Sequence, residues 1–320
     1  MTMEPVKIHS RKINSRAAIG HGVTLIGLAQ GILLTATLAL PGLVVAAPDA
    51  ALSGLAAKDQ TVRREQGLRS LSALTGTSVT AAAELATTLE RENGALGTFA
   101  VDFVMGEIWS REQLSRRDRN LVVLAILGAI HQTNQLAYYV PGGIRNGLTA
   151  EEIREVFVHL SGYAGFPRAL DAMAETNRLL AKMGHPPPVA PAERLTGEQR
   201  RARSIAVMTR LSGQESADAG KLLEGIAGKL GPLADAGVDF AFGEIWARPQ
   251  LSRRDRSLLV VSVLAALGRA DELDIHVPAA LRHGVTKTEL EEVMLTVFAY
   301  AGAPLAVEGI RKVIEHTASP

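Results

Sequence analysis

One long segment of the chain occurs twice. The stretch GEIWSREQLSRRDR at residues 106–119 returns as GEIWARPQLSRRDR at residues 243–256. The offset of 137 residues holds without a gap from about residues 59–179 to residues 196–316. Copies of this length are tandem domains, since solenoid units repeat every 20 to 50 residues or so. The chain of 320 residues has room for roughly two ordinary domains, so whatever one copy folds into must be built twice.

Helical signals dominate both copies. Hydrophobic residues make up 47% of the chain and aromatic residues only 4%, and the abundant Ala and Leu are strong helix formers. Ser115 with Asp118, and Thr149 with Glu152, have capping-box spacing at the start of apolar, helix-periodic segments. No stretch alternates convincingly as a strand would. The sequence therefore predicts an all-α fold of two helical domains, each of five or six helices, related by pseudo-twofold symmetry.

The N-terminal segment is typical of a secretory signal. Four basic residues and one acidic residue give the first 22 positions a net charge of +3. An apolar run over residues 23–47 follows, with Pro41 near its end and the small residues Val44 and Ala46 at a possible cleavage site. We therefore expect a signal peptide at 1–46 and a periplasmic or secreted protein. The alternative is an uncleaved membrane anchor, because about 20 apolar residues can span a bilayer.

The remaining chain divides at a proline-rich segment. We expect a first domain at 47–183, a linker at 184–195 whose prolines favour a semi-rigid spacer, and a second domain at 196–320. The whole chain carries +1 and has no basic tract outside the N-terminal segment, so no nucleic-acid partner is expected. It has no cysteine, which excludes disulfides, thiol catalysis and thiolate metal sites.

Three motifs of the second copy occur in a specific order. They are GEIWxRxxLSxRDRxL, ELxxHxxxALxxGVTxxELEEV and YAGxPxA. With these motifs the chain resembles the carboxymuconolactone decarboxylase family, and its first copy resembles that family over the same span. The resemblance implies the helical alkylhydroperoxidase D-like fold and a cofactor-free loss of carbon dioxide from a small carboxylated lactone. It also implies homo-oligomers, for which a trimer of tandem chains is plausible.

Candidate catalytic residues cluster in the second copy. Glu272 and His276 are four residues apart and so share a helix face, where a carboxylate can hold an imidazole in one tautomer. In the family pattern this histidine lies in the pocket. Arg256 could grip a substrate carboxylate or instead form an ion pair with a Glu or Asp of the same motif that holds helices together. Glu244, close to Trp246, could carry a proton with a raised pKa or could form a structural pair with an arginine of the next segment.

The first copy keeps the scaffold but changes the chemical residues. Glu107 and Arg119 correspond to Glu244 and Arg256, whereas Tyr139 stands where the second copy has His276. A second, altered pocket is therefore expected, in which His131, eight residues before Tyr139, lies roughly on the same face. This pocket could run different chemistry, bind without reacting or only complete the oligomer. Further differences between the copies are Gln135 for Glu272, Asn146 for His283 and His159 for Thr296.

Three hypotheses follow from the sequence. The first is an exported carboxymuconolactone decarboxylase-like enzyme in which Arg256 holds a small anionic substrate and His276, tuned by Glu272, shuttles the proton. The second is a non-catalytic ligand-binding or assembly protein on the same scaffold. The third, a peroxiredoxin-like activity suggested by the fold, is disfavoured because the chain has no cysteine. No metal and no cofactor is expected, and membrane contact is expected only through an uncleaved signal segment.

Overall fold

Each copy folds into the same series of helices. The computed structural model describes residues 58–187, 191–213 and 216–318, so the expected signal peptide at 1–46 lies outside the described residues. In the first copy the elements are α1 (Gln60–Thr75), α2 (Val79–Asn93), α3 (Ala95–Phe99), π1 (Ala100–Ile108), α4 (Arg116–Ala129), a 3-10 turn (Thr133–Gln135), α5 (Leu136–Arg145), α6 (Ala150–Ala164) and α7 (Phe166–Lys182). In the second copy they are α8 (Gly197–Ser212), α9 (Ser216–Leu230), α10 (Pro232–Val238), π2 (Asp239–Trp246), α11 (Arg253–Ala266), α12 (Ala270–Arg282), α13 (Lys287–Ala301) and α14 (Ala303–Thr317).

The all-α tandem fold is confirmed, but the expected count of five or six helices per copy is too low. Each copy has seven α-helices and a π-helical segment within the described residues, and no strand occurs there. The difference arises around Gly94, which has a positive φ of 58° and ends α2 just before α3 begins. A left-handed glycine interrupts a helix without changing the periodicity of the apolar residues on either side.

The helix starts follow the capping signals. The Ser115 side chain accepts the backbone N–H of Asp118 at 3.1 Å, and the same contact recurs in the second copy. Thr149 and Glu152 form a complete capping box, with side-chain to backbone contacts of 3.1 and 2.7 Å. Because each cap satisfies N–H groups that the helix leaves free, these residues fix where α4 and α6 begin.

A glycine allows the first helix of each copy to lie directly against its π-helical segment. A Cβ added to Gly106 would stand 2.2 Å from the carbonyl oxygen of Arg63, and one added to Gly243 would stand 2.4 Å from that of Arg200. Any side chain there would force the backbones apart. The repeated GEIW motif thus begins with glycine because α1 and α8 approach π1 and π2 this closely.

The two copies meet in one shared core, and residues 57–320 form one compact unit. Helices α4 and α11 are buried along almost their whole length and pack against each other. Each of them also packs against both α6 and α13, so that α6 touches the central helix of the second copy and α13 that of the first. This crossing of helices between copies sets the composition of both candidate sites.

The proline-rich segment is anchored at its start. The Arg154 side chain on α6 donates to the carbonyl oxygens of His185 and Pro186 at 2.9 and 2.8 Å. Beyond the undescribed residues 188–190, Glu193 forms an ion pair with Arg203 on α8 at 2.8 Å. No helix in the described ranges is long and apolar enough to cross a membrane.

Candidate functional site

Two buried arginines show that each site is built from both copies. Arg256 on α11 donates to Glu155 on α6 at 2.9 Å. Arg119 on α4 makes the matching contact to Glu292 on α13, also at 2.9 Å. Both guanidinium groups are fully buried, and burial lowers the pKa of each while the carboxylates oppose that effect. The helix that completes each site therefore comes from the other copy.

Three histidines surround Trp246 in the site of the second copy. The ring centroid of Trp246 lies 4.9 Å from that of His159, 6.3 Å from that of His276 and 6.1 Å from that of His283. We call His159, His276 and His283 the histidine cluster. Tyr163 lies beside the histidine cluster. Its hydroxyl accepts the Trp246 indole N–H at 2.8 Å, and its ring packs edge-on against His276. His159 and Tyr163 both belong to α6 of the first copy.

All three imidazoles are held in the neutral form near pH 7. Burial lowers the pKa of His276 to about 4, with a smaller contribution from the neighbouring His283. Burial also lowers the pKa of His159, helped by the positive charge of Arg256. The pKa of His283 is lowered by burial and then by nearby arginines. A neutral imidazole has a nitrogen that can accept a hydrogen bond or a proton, although burial makes these imidazoles weaker bases than free histidine.

The site of the first copy holds tyrosines instead. The Trp109 indole donates to the Tyr300 hydroxyl at 2.8 Å, and that hydroxyl lies 2.6 Å from the hydroxyl of Tyr139. We call Tyr139 and Tyr300 the tyrosine cluster. Burial raises the pKa of Tyr139 to about 12 and raises that of Tyr300 well above its usual value. These hydroxyls stay protonated at neutral pH and are paired with each other, so they are poor bases.

The predicted carboxylates lie outside both clusters. Glu272 is exposed in the first turn of α12, and within the described residues it forms no hydrogen bond with His276. The expected carboxylate–imidazole pair is therefore not formed, although the two residues lie on one helix. Glu244 pairs with Arg200 at 2.6 Å and Glu107 pairs with Arg63 at 2.6 Å. These contacts are structural ion pairs, but the arginines come from the preceding helices α8 and α1 and not from the following segment, as the alternative expected.

The last arginine of each SRRDR motif is engaged rather than free to grip a ligand. Both terminal nitrogens of Arg256 are hydrogen-bonded, one to His159 and the other to Glu155 and the Arg248 carbonyl. Arg119 is bound in the same way, to Glu292, to the Thr296 hydroxyl and to a backbone carbonyl. Each arginine forms an ion pair between helices, but its partner is a glutamate of the other copy and not the acidic residue of its own motif that the alternative expected.

His131 does not share a helix face with Tyr139. Helix α4 ends at Ala129, and a turn and a 3-10 segment intervene before α5 begins. His131 is exposed, has a positive φ of 60° and lies 2.9 Å from Asp171 on α7. The expectation was wrong because it assumed one continuous helix, whereas the chain reverses at His131.

His159 is visible in the sequence as a difference between the copies, but its position in the site of His276 is not. Its counterpart Thr296 occupies the first site, where it accepts from Arg119 at 3.1 Å. Tyr163 and Glu155 were missed as site residues as well. Both copies have a tyrosine and a glutamate at these positions. This repetition indicates a shared role, but it does not show in which copy's site the side chains lie.

A basic cleft of about 830 Å³ reaches the histidine cluster at Trp246 and His283. His276 does not line this cleft directly and adjoins it through Trp246. Five arginines line it, and three of them have acidic partners: Arg203 pairs with Glu193, Arg248 with Glu155, and Arg254 with Asp118. Arg210 and Arg253 form no ion pair within the described residues, and their mutual repulsion contributes to lowering the pKa of Arg253, after burial.

The described residues contain no group of three or more histidine and acidic side chains arranged to hold a metal ion. In the histidine cluster, the Nδ1 atoms of His159 and His283 already lie 2.9 and 2.8 Å from Arg256 and Ser257. The chemistry that these residues can supply is proton transfer and hydrogen bonding.

Comparisons with known proteins match both copies to one family. The model of the carboxymuconolactone decarboxylase family matches residues 95–178 and 232–315. The chain is 39% identical over 110 residues to the 4-carboxymuconolactone decarboxylase of Acinetobacter baylyi, covering 34% of this chain and 81% of that protein. It is 34% identical over 73 residues to the nitrosuccinic acid decarboxylase of Metarhizium robertsii, covering 23% of this chain and 51% of that protein.

Proposed function

Because the chain belongs to the carboxymuconolactone decarboxylase family, we propose that it removes carbon dioxide from a small carboxylated acid at the histidine cluster. The observation that carries this proposal is the convergence of His159, His276 and His283 on Trp246. The site of the first copy has Thr296, Tyr139 and Asn146 at the corresponding positions. Only the second site therefore combines the family scaffold with groups that can move a proton near neutral pH.

The names of the two relatives describe acids of one chemical kind. One is a carboxylated lactone and the other a nitro-substituted dicarboxylic acid. In both, the carbon–carbon bond to the carboxylate can break because its electron pair passes onto an oxygen of a lactone or a nitro group. Carbon dioxide leaves, and a proton must then reach the carbon. A site for such a reaction needs anion binding, hydrogen-bond donors for the charged oxygen and a proton carrier.

His276 is the proton carrier in this proposal. Burial keeps its imidazole neutral in the free protein, with a pKa of about 4. A bound anion raises the pKa of a neighbouring imidazole by favouring its charged form. His276 then takes a proton from solvent as the substrate binds and delivers it to carbon after carbon dioxide has left. Glu272 has no part in this step, since it is exposed and not hydrogen-bonded to His276.

The basic cleft supports an anionic substrate. Arg210 and Arg253 add two positive charges without an ion-pair partner in the described residues, beside Trp246 and His283. Arg210 corresponds to Ala73 in the first copy, so this charge belongs to the second site alone. Positive charge along a cleft raises the local concentration of small anions and their rate of entry.

A direct assay tests the proposal. Purified protein is incubated separately with 4-carboxymuconolactone and with nitrosuccinic acid, and the released carbon dioxide is measured against buffer alone and against His276→Gln. We expect release with at least one acid, and a rate for the variant that is lower by about 10²–10⁴. Release at the buffer rate with both acids, from folded protein, would overturn the proposed reaction.

A non-reactive role fits the first site. Its two tyrosine hydroxyls are hydrogen-bonded to each other, and the Asn146 amide donates to Asn120 at 3.2 Å. We propose that this site supports the scaffold and that turnover occurs only in the second.

Self-association and export complete the proposal. Three pairs of equivalent positions expose large apolar side chains in both copies: Leu96 and Leu233, Tyr138 and Ile275, and Leu170 and Val307. Apolar surface repeated in this way favours contacts between chains, and we propose a homo-oligomer, for which light scattering on purified protein gives the mass.

We also propose export, which an intact mass of the protein from the periplasm or medium would test.

A further inference from the structure

His159 belongs to the first copy by sequence but to the second site by position. It lies on α6, is fully buried, and has its ring 4.9 Å from Trp246 and 5.6 Å from Tyr163 by centroid. Its counterpart in the first site is Thr296, so the imidazole is one of the groups that distinguish the two sites.

The contacts of His159 fix which ring nitrogen carries the proton. Nη1 of Arg256 lies 2.9 Å from Nδ1 of His159. A guanidinium has only N–H donors, so Nδ1 must be the acceptor. Burial and the charge of Arg256 keep the ring neutral. The single ring proton therefore lies on Nε2, and Glu155 holds Arg256 in place through its own ion pair at 2.9 Å.

This Nε2–H group is buried and has no hydrogen-bond partner within the described residues. Nε2 of His283 has the same property, while Nδ1 of His283 lies 2.8 Å from the Ser257 hydroxyl. Buried polar atoms are nearly always paired, and an orphaned one requires an explanation. Both orphaned imidazole nitrogens belong to side chains around Trp246, whereas in the first site Thr296 and Asn146 are hydrogen-bonded.

We propose that His159 is a catalytic hydrogen-bond donor whose Nε2–H binds the substrate oxygen that becomes negatively charged during decarboxylation. This inference rests on the proposed function. As the bond to the carboxylate breaks, its electron pair moves onto the lactone or nitro oxygen, and the His159 N–H stabilises that charge. The proton added afterwards to carbon comes from His276. Arg256 and Glu155 are positioning residues, since they act through His159.

Two variants separate this role from a structural one. His159→Asn keeps an acceptor near the position of Nδ1 for Arg256 but loses the donor at Nε2. His159→Gln reaches the position of Nε2 with an amide donor but gives up the contact with Arg256. Loss of one donor to a developing oxyanion typically lowers kcat by about 10²–10³. We expect that loss for His159→Asn, a substantially smaller loss for His159→Gln, and little change in KM for either variant.

The matched control is Thr296→Ser, at the counterpart of His159 in the first site, which should retain the kcat of the wild type. Circular dichroism and thermal melting establish that the variants are folded. If His159→Asn were the more active of the two variants, His159 would serve to hold Arg256 and the proposal would be overturned.

A measurement independent of turnover keeps the two proposals apart. In protein labelled with ¹⁵N-histidine, His159 should show a protonated Nε2 and an unprotonated Nδ1, and the Nε2 proton should shift to saturation as succinate is added. A protonated Nδ1, or a spectrum unchanged by succinate, would overturn the assignment of His159 as a donor. If neither acid is decarboxylated by the wild type, the proposed reaction fails. This titration alone then decides whether His159 donates a hydrogen bond to a bound anion.

Discussion

Arg117 of the first copy donates to both carboxylate oxygens of Asp255 of the second, at 2.9 and 3.2 Å. Arg254 donates to Asp118 at 3.0 Å, so the contact is repeated across the pseudo-twofold axis. Both aspartates are buried. The repeated SRRDR motif is therefore the seam along which the two copies are joined, and its duplication reflects the symmetry of the contact.

Removing one charge from this seam should destabilise the whole unit. Asp255→Asn removes the carboxylate that contacts both terminal nitrogens of Arg117, which keeps Asp118 and Glu152 as partners, and losing a charged hydrogen-bond partner typically costs about 1.5–3 kcal/mol. We expect a clearly lower midpoint of urea unfolding at pH 7. Arg178→Gln is the control, because among the described residues Arg178 forms an ion pair only with the nearby Glu175 at the surface, and it should leave the midpoint unchanged. Equal midpoints for Asp255→Asn and the wild type would contradict the role of the seam.

Local features of the fold could be predicted from the sequence because they depend on neighbours in the chain. The serine and threonine caps, and the prolines at the first turns of α7 and α14, are fixed by interactions within one turn. The break at Gly94 and the reversal at His131 were not predicted, because each is a single left-handed residue within an apolar pattern that continues.

The composition of the sites was harder to predict for a different physical reason. Helical periodicity identifies the buried face of α6, but burial alone does not indicate whether that face meets its own copy or the other. Glu155, His159 and Tyr163 lie on this face, and all three contact residues of the second copy. The spacing of Glu272 and His276 predicted a contact that the position of Glu272 in an exposed first turn does not allow.

The free energy of unfolding should decrease as the pH falls, in a window set by the pKa of His276. The folded protein lowers the pKa of this imidazole from 6.5 to about 4, so the unfolded chain binds the proton first as pH falls. The free energy of unfolding should therefore decrease between about pH 6.5 and 4, and this contribution should level off below that range. His276→Gln should show a shallower decrease, measured by urea unfolding at several pH values.

The carboxylates that titrate in the same window are common to both proteins, so the difference between the two curves isolates His276. An NMR titration gives the pKa directly, from the resonance that disappears in His276→Gln. A midpoint near 6.5 would contradict the burial argument, because that is the ordinary pKa of an exposed histidine.

Turnover should depend on His276 and not on Tyr139. His276→Ala removes the proton carrier and should lower kcat by about 10²–10⁴. Tyr139→Phe keeps the ring stacked on Trp109 and loses only the hydroxyl bonded to Tyr300, so kcat should stay close to that of the wild type. Rates for both variants are measured with circular dichroism as a check on folding. Full activity in His276→Ala together with loss of activity in Tyr139→Phe would move the working site to the first copy.

Substrate affinity should depend on Arg210 through charge. Arg210→Ala introduces the residue of the first copy at this position, where Ala73 is the counterpart, and removes one positive charge from the cleft beside Trp246. We expect KM to rise severalfold with kcat unchanged, because Arg210 attracts the anion but takes no part in the bond-breaking step. The rise should shrink as salt is added, since exposed charges are screened within about 10 Å at 0.1 M ionic strength. Arg69→Ala is the matched control, because Arg69 is an exposed arginine whose counterpart in the second copy is Ala206. An equal rise in KM for both variants would show that overall charge, rather than this cleft, governs binding.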